Sequence, residues 1–597
     1  MSLSLYCTYK TEYIMKHASY RIVYLILALS FLSLSGWAIK WFNPMQAGFP
    51  VVQNQAFIEE LSQSYHRLPD RAKPLVRDAV WNLSQNSAGL AIHFYSNSPE
   101  IKIRYQVSGP FAMPHMPATG VSGVDLYRIN SDGTRQFCFN TYAFGDTIVY
   151  TYSGLSASTY HSQGFEYQLY LPLYNGVKWM EIGVQDDQSV EFIPVYREKP
   201  IVLYGTSIAQ GACASRPGMA WGNIVQRNLD LPLINLGFSG NGRLEKEVID
   251  FINEIEAQIY LLDCLPNLSG ETQESVQEKV IASVKQIREK HPDTPILLIE
   301  HAGYSNGEVS ESSKQSYQKA NAASRKAFEL LKQQTKQLYY LSREELNLSA
   351  DGWVDYVHPS DLGMQQQAKV VESKIREILH MPVGNIQTTT PVTQRREPGM
   401  YEWKKRHEDN LENLYKAQPQ SIIIGNSITH YWGGVPDAPA QNGPETWKKY
   451  MKDFYNLGCG WDRIENVLWR IYHGELDGYT ASRIILMIGT NNLDMNTDEE
   501  IVTGLEVLLE AIQYRQPKAE IRVIGILPRR EREDRVRQIN QKIEKMVHEH
   551  KCLYIDAGKG LFQSDGKINE QLFKDGLHPN DKGYALIAPF ILKTSNR

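Results

Sequence analysis

Four short blocks of this chain occur twice, in one order and at nearly one separation, and that doubling limits what the chain can fold into more than any other feature. "GTSIAQG" (205–211) returns as "GNSITHY" (425–431), and "LINLGFSGNGRLEKEVIDFI" (233–252) as "FYNLGCGWDRIENVLWRI" (454–471). "LLDCLPN" (261–267) returns as "LMIGTNN" (486–492), and "DYVHPSDLG" (355–363) as "DGLHPNDKG" (575–583). Ser207 and Ser427 are 220 positions apart, as are His358 and His578; Gly237 and Gly458 are 221 apart, and Asn267 and Asn491 are 224 apart. Serine and histidine are therefore separated by 151 positions in both copies.

The blocks sit in a periodic background. From 198 onward, apolar runs such as "PIVLYG", "PLINLG", "AQIYLLD", "TPILLIE" and "QLYYLS" alternate with amphipathic segments such as 245–255 and 316–333. Such alternation predicts a parallel sheet covered by helices on both faces. A first α/β unit is expected over 198–382 and a Thr/Pro/Gln-rich linker over 383–399. A second unit follows over 400–597, opening with a charged helix and continuing through "QSIIIG", "DFYNLG", "RIILMIG", "EIRVIGILP" and "CLYIDAG". Residues 49–197 read differently. Short runs rich in β-branched and aromatic residues ("GLAIHFYS", "EIKIRYQVSG", "DTIVYTYSG", "FEYQLYLPLY") separated by Gly, Ser, Asn and Asp predict an all-β sandwich.

A chain of 597 residues exceeds the size of one core, so three folded units are expected. The formal net charge of −5 gives no basic footprint, which argues against nucleic acid as a partner. In region 1–48, the uncharged run "IVYLILALSFLSLSGWAI" (Ile22 to Ile39) follows Lys16, His17 and Arg21, and reads as an export signal. Two fates fit it: removal after the small residues around Gly36 and Ala38, or retention as a single membrane anchor, since eighteen apolar residues just span a bilayer. Either fate predicts an exported protein, periplasmic or secreted. Met15, directly before the basic residues, is an alternative start to Met1. Six unpatterned cysteines give no zinc-like spacing and no disulfide framework.

Each block contributes one part of a reaction site. A serine where a buried strand hands over to a helix is presented at the carboxyl edge of the sheet, where open α/β folds bind ligands; alone, it would equally suit a helix cap. Asp355 with His358, and Asp575 with His578, place a carboxylate within one turn of an imidazole. A carboxylate that holds one ring nitrogen leaves the other to take the serine proton. Gly237 and Gly458 after the second strand, and Asn267 and Asn491 after the third, are candidate donors to a developing oxyanion. Each alone would pass as a turn residue. Tyr431, Trp432 and Trp461 lie near the second serine in sequence, with burial in a core as their default use. His115 and His301 receive no role, because each copy already has its base.

Ser, Gly, Asn and His in that order, closed by Asp-x-x-His, resembles the SGNH (GDSL-type) hydrolase superfamily. The resemblance implies two flavodoxin-like three-layer α/β/α domains, with Ser207 and Ser427 as nucleophiles, His358 and His578 as bases, Asp355 and Asp575 as their orienters, and Gly237, Asn267, Gly458 and Asn491 completing oxyanion holes. The second copy resembles the platelet-activating-factor acetylhydrolase-like branch. The first resembles Bacteroidetes SGNH proteins and sugar O-acetyl esterases with an N-terminal β-sandwich. Both copies depart from Gly-Asp-Ser, with Thr206 and Asn426 where Asp is usual, and "LDCLPN" replaces Gly-x-Asn-Asp in the first. The implied activity is exported, cofactor-free and metal-independent ester hydrolysis, acetyl esters of carbohydrate foremost, with no obligatory protein partner. A lipid-directed acetylhydrolase is the alternative within the same chemistry. A polysaccharide-binding protein with one or both sites inactive is the alternative of another class.

Overall fold

In the computed structural model, which describes residues 38–592 apart from 160, 383 and 398, each α/β unit is built on one five-stranded parallel sheet. The first runs in the order Leu233–Gly237, Ile201–Gly205, Ile259–Asp263, Ile296–Ile299 and Leu338–Leu341. The second runs Tyr455–Gly458, Ser421–Gly425, Arg483–Met487, Glu520–Ile524 and Leu553–Ile555. In chain order both are 2-1-3-4-5, the flavodoxin-like winding. Every residue of Ile201–Gly205 and of Ser421–Gly425 is buried, as expected of strands with helices on both faces. Register is in phase: Gly205 pairs with Gly237, and Gly425 with Gly458. The two serines therefore leave equivalent points of equivalent sheets. The apolar cluster holding Leu203, Met364 and Ile375 in the first unit continues into Ile424, Leu468 and Ile512 in the second.

The preceding domain is a sandwich of two antiparallel sheets. One runs Ile39–Phe42, Val177–Gln185, Glu100–Val107, Ile148–Ser153 and Thr141–Ala143. The other runs Glu191–Phe192, Ala91–Ser96, Phe165–Tyr170, Asp125–Ile129 and Arg135–Phe137, with Val52–Gln53 also on Ala91–Ser96. The domain starts ten residues before the expected boundary at 49, because Ile39–Phe42 pairs with Phe42 opposite Ile182 and Ile39 opposite Gln185. The end of the apolar run is thus a strand; the rest of the predicted export signal, through 37, lies outside the described residues. Cys138, Cys213, Cys264, Cys459 and Cys552 are buried free thiols.

The Thr/Pro/Gln stretch connects the two units, but packed rather than as a solvated tether. Thr388, Thr389, Thr393, Gln394, Arg395 and Glu397 are buried. Threonine hydroxyls find carbonyls within the fold: Thr388 donates to that of Glu500 in the second unit and Thr389 to that of Ile386. Arg395 reaches into the sandwich, where its Nε donates to Glu166 at 3.1 Å; the same carboxylate is held by His93 at 2.8 Å and Tyr196 at 2.9 Å. Burial pushes the Glu166 carboxyl up, yet Arg395 and His93 outweigh it and hold it well below its usual range.

Two stability predictions follow from buried charge. Arg395→Met removes the cation facing Glu166, and breaking a buried pair costs about 3 kcal/mol; a lowered Tm and faster proteolysis within 383–399 are expected. Asp263, at the end of its strand, is 2% exposed, leaves one carboxyl oxygen without a hydrogen-bond partner, and is pushed by burial to about 7. Between about pH 4 and that value the folded chain keeps a proton that the unfolded chain, with an Asp pKa of about 3.9, has lost. Stability from this group therefore falls as pH rises through that window and is level above it. Asp263→Asn should raise Tm relative to the parent increasingly as thermal melts move from about pH 5 to about pH 8.

Candidate active site

Each nucleophile candidate is set by its neighbour in sequence. Thr206 caps the helix Ser207–Gln210 by accepting the Ile208 N–H on its hydroxyl, and Asn426 caps Ser427–His430 by accepting the Ile428 N–H at 2.9 Å. The residue that replaces the usual Asp is thus the N-cap, a position that Thr, Asn and Asp all fill. That frees both serine hydroxyls, and each meets a histidine. Ser207 Oγ lies 3.0 Å from His358 Nε2, and Ser427 Oγ 2.8 Å from His578 Nε2.

The histidines are wired identically. His358 Nδ1 lies 2.7 Å from Asp355 Oδ2, while Asp355 Oδ1 accepts the N–H groups of Val357 and His358 at 2.9 and 2.8 Å. In the second copy His578 Nδ1 lies 2.6 Å from Asp575 Oδ2, and Oδ1 accepts from Leu577 and His578 at 2.9 and 2.8 Å. Burial raises both carboxyls, but these hydrogen bonds outweigh it and leave each below its ordinary value. Such a carboxylate stays charged and fixes Nδ1 as the donor, which leaves Nε2 as the acceptor.

The end of the block explains itself in three dimensions. Asp361 accepts the backbone N–H and the hydroxyl of Ser215; Asp581 accepts the N–H and hydroxyl of Thr446. Each ties the histidine-bearing segment to the chain beyond the nucleophile helix. A Cβ on Gly363 would meet the Gly352 carbonyl at 2.1 Å, and one on Gly583 that of Leu572 at 2.4 Å. These residues were visible in the repeat, within His-Pro-x-Asp-x-Gly, but carried no assignment.

Two expectations need correction. The N–H groups of Gly237 and Gly458 are not open donors, because each gives its hydrogen to the asparagine two residues earlier, Asn235 or Asn456, at 2.8 Å. These glycines provide closeness instead: a Cβ at either would lie 2.3 Å from the backbone nitrogen of Gln210 or His430 in the nucleophile helix. Asn235 and Asn456 complete the junction by donating to the Ala209 and Thr429 carbonyls at 2.7 and 2.9 Å. Asn267 accepts the Gly242 N–H on its Oδ1 at 3.0 Å, and Gly242 packs against the Gly205 carbonyl beside the serine turn. The amide hydrogens of Asn267 have no acceptor among the described residues. Asn491 donates one amide hydrogen to the Asp462 carbonyl at 2.9 Å and keeps the other, while its neighbour Asn492 is engaged on Ile464, Glu465 and Asn496.

Sequence reasoning also missed what reaches the site from beyond the repeated blocks. Arg67, 2% exposed, donates to the carbonyls of Asn235 (3.1 Å) and Gly237 (2.7 Å), and burial lowers its guanidinium to about 9. Arg406 of the helix Trp403–Ala417 does the same in the second unit, donating to Gly458 (2.9 Å) and Asn456 (3.3 Å). In the sandwich, Asp125 accepts from Arg216 Nη1 and the Gly218 N–H, each at 2.7 Å, and Tyr127 accepts from the same Nη1 at 2.8 Å. Tyr174 donates to the Ser207 carbonyl at 3.1 Å.

Of the remaining residues, His115 stacks on His358, with centroids 5.5 Å apart and planes at 20°. At the second site the corresponding neighbour is Tyr431, 5.7 Å from His578, with Trp461 edge-on to it at 6.4 Å. Trp432 is a core residue, stacked on Tyr584 at 4.6 Å. His301 is fully buried, its ring pushed by burial to about 3, and accepts the Gly303 N–H.

Comparison with known proteins agrees with this geometry. Residues 198–376 and 423–586 each match the GDSL-like Lipase/Acylhydrolase family, and residues 39–190 match the family described as "N-terminus of Esterase_SGNH_hydro-type". Human platelet-activating factor acetylhydrolase IB subunit alpha2 is 30% identical over 192 residues, which is 31% of this chain and 80% of that protein. The human alpha1 subunit is 27% identical over 189 residues, 30% of this chain and 78% of that one. The crystal structure of a GDSL-like lipase from Bacteroides ovatus ATCC 8483 is similar with a TM-score of 0.52 and 33% identity, covering 57% of this chain and 98% of that one. With a GDSL-type unit on either side of the packed connector and the matching esterase domain ahead of them, the chain belongs to the GDSL-like (SGNH) hydrolases twice over and is an ester-hydrolysing enzyme.

Proposed function

We propose that both halves cleave carboxylic esters through a serine nucleophile, with Ser207–His358–Asp355 and Ser427–His578–Asp575 acting independently. The observation that carries this reading is that the two triads repeat one another bond for bond. The serine Oγ attacks the ester carbonyl as His Nε2 takes its proton, and the Asp carboxylate steadies the imidazolium. The tetrahedral intermediate collapses to an acyl-enzyme, and the alcohol leaves with the proton from His. Water repeats the sequence and frees the acid. Amide hydrogens of Asn267 and Asn491, with the backbone N–H of each serine, are the proposed oxyanion donors.

Acetyl esters of carbohydrate are the proposed substrates. Support comes from the predicted export, from the sandwich that reaches the first site through His115, and from Tyr431 and Trp461 beside the second, since flat rings suit sugar faces. The names of the acetylhydrolase relatives favour a second reading, a lipid-borne acetyl ester. We also infer that the segment before residue 38 carries the chain out of the cytoplasm, either cleaved or kept as an anchor; fractionation of cells with an antibody to the sandwich tests it.

A fluorophosphonate probe should label Ser207 and Ser427 in peptide mapping; a chain labelled at neither is a binding protein and not this enzyme. With one site left intact, Ser207→Ala and Ser427→Ala should each abolish turnover at their own site by about 10⁴-fold or more, read as acetate release. Acetylated xylan, pectin and a short-chain acetyl phospholipid distinguish the two substrate readings, and acetate from the lipid alone overturns the carbohydrate one. Asp355→Asn and Asp575→Asn should cost about 10⁴ in kcat with KM little changed.

A further inference from the structure

Around the first base, and not the second, side chains converge that ester cleavage does not use. His115 is brought in by a sandwich loop that the Met113 and Met116 backbones pin by donating to one another at 3.0 and 3.1 Å. Met116 packs with Ala214 and Ala220 in one small apolar cluster, so the loop and the chain after the nucleophile helix are fixed against each other. Cys213 belongs to that second segment; it is 5% exposed and adopts a left-handed backbone with φ of 68°. One donor atom from each of His115, Cys213, Asp355 and His358 lies within 4.8 Å of the others. Tetrahedral zinc, with ligand bonds of about 2.0–2.3 Å, spaces its donors about 3.5 Å apart. Side-chain shifts of about 1 Å would therefore close this set around one ion.

The chemistry of the set selects the ion. One thiolate, two imidazoles and a carboxylate suit zinc or cobalt, whereas magnesium and calcium take oxygen ligands. The second site has no such group among the described residues. The position 220 beyond Cys213 is Gly433, and the ring beside His578 is the phenol of Tyr431.

We propose that His115, Cys213, Asp355 and His358 form a zinc-class inhibitory site, so that the bound cation switches off Ser207 while Ser427 keeps working. The proposal rests on the reading of Ser207 as a nucleophile. A cation on either nitrogen of His358 breaks that ring's hydrogen bond to Ser207 or to Asp355, and either loss disables proton transfer. Binding is a ligand exchange without redox change: the Cys213 S–H gives its proton to solvent, a metal–sulfur bond forms, and metal-bound water leaves.

The test uses the full chain without a purification tag, with two readouts. Added Co²⁺ should give the near-ultraviolet thiolate-to-cobalt absorption, which Cys213→Ser abolishes and His115→Ala weakens. Added Zn²⁺ should lower fluorophosphonate labelling of the Ser207 peptide by about tenfold or more at saturation, reversed by a chelator, and leave the Ser427 peptide within about twofold. In both variants the zinc effect on Ser207 should shrink when each is compared with itself without metal. Absence of the cobalt band, equal suppression of both serines, or undiminished suppression in both variants overturns the proposal. If Ser207 is unlabelled without metal, the nucleophile reading fails while the cobalt band still reports on the metal site.

Discussion

One carboxylate in each half carries two constraints at once. Asp355 and Asp575 each spend one oxygen on two backbone N–H groups of their own turn and the other on the imidazole three residues later. The first pair shapes the turn; the last bond aims the ring. Because the same carboxylate does both, the turn that shapes the chain also presents the oxygen that aims the ring. The adjoining Asp361 and Asp581 then fasten that turn to the chain beyond the nucleophile helix. Serine and histidine arrive from ends of the unit 151 positions apart, and these few bonds join them.

The nucleophile side depends on closeness. The second strand ends on a glycine because the nucleophile helix passes where a Cβ would stand, and the asparagine before it satisfies polar groups of both elements. Beyond this shared frame the two sites diverge. A histidine from another domain and a buried thiol border the first base, whereas a tyrosine and a tryptophan border the second. A duplicated Ser–His–Asp geometry is thus set in two different surroundings.

Much of this was legible in the residues. The doubled blocks exposed the two units, strand and helix periodicity exposed the sheets, and Asp-x-x-His exposed the two Asp–His pairs that meet the serines. The errors have physical causes. Gly237 and Gly458 looked like donors because nothing in a linear reading shows that an asparagine side chain folds back onto their N–H groups. The sandwich begins earlier than the residues indicate because Ile39, the end of the apolar run, pairs as the first residue of a strand. The connector reads as a linker because threonine and proline are turn residues, and its packing is not visible in the residues because its hydroxyls are satisfied by carbonyls met only in the fold. Arg67 lies 168 and 170 positions from the two strand carbonyls it holds, a distance no motif spans.

The guanidinium groups of Arg67 and Arg406 give the molecule a practical border. In each half the carbonyls closing the second strand are held by a cation from outside the sheet and its nucleophile helix; one comes from the esterase sandwich, the other from the helix ahead of the second sheet. They occupy unrelated places in the chain yet reach equivalent carbonyls, those of Asn235 and Gly237 in one half and of Asn456 and Gly458 in the other. The smallest piece that could be transplanted, shuffled or expressed with its reaction centre intact is accordingly larger than the three-layer core: it must include residue 67 for one half and residue 406 for the other. Scissors applied at the first strand of either sheet would remove the rivet along with the packaging.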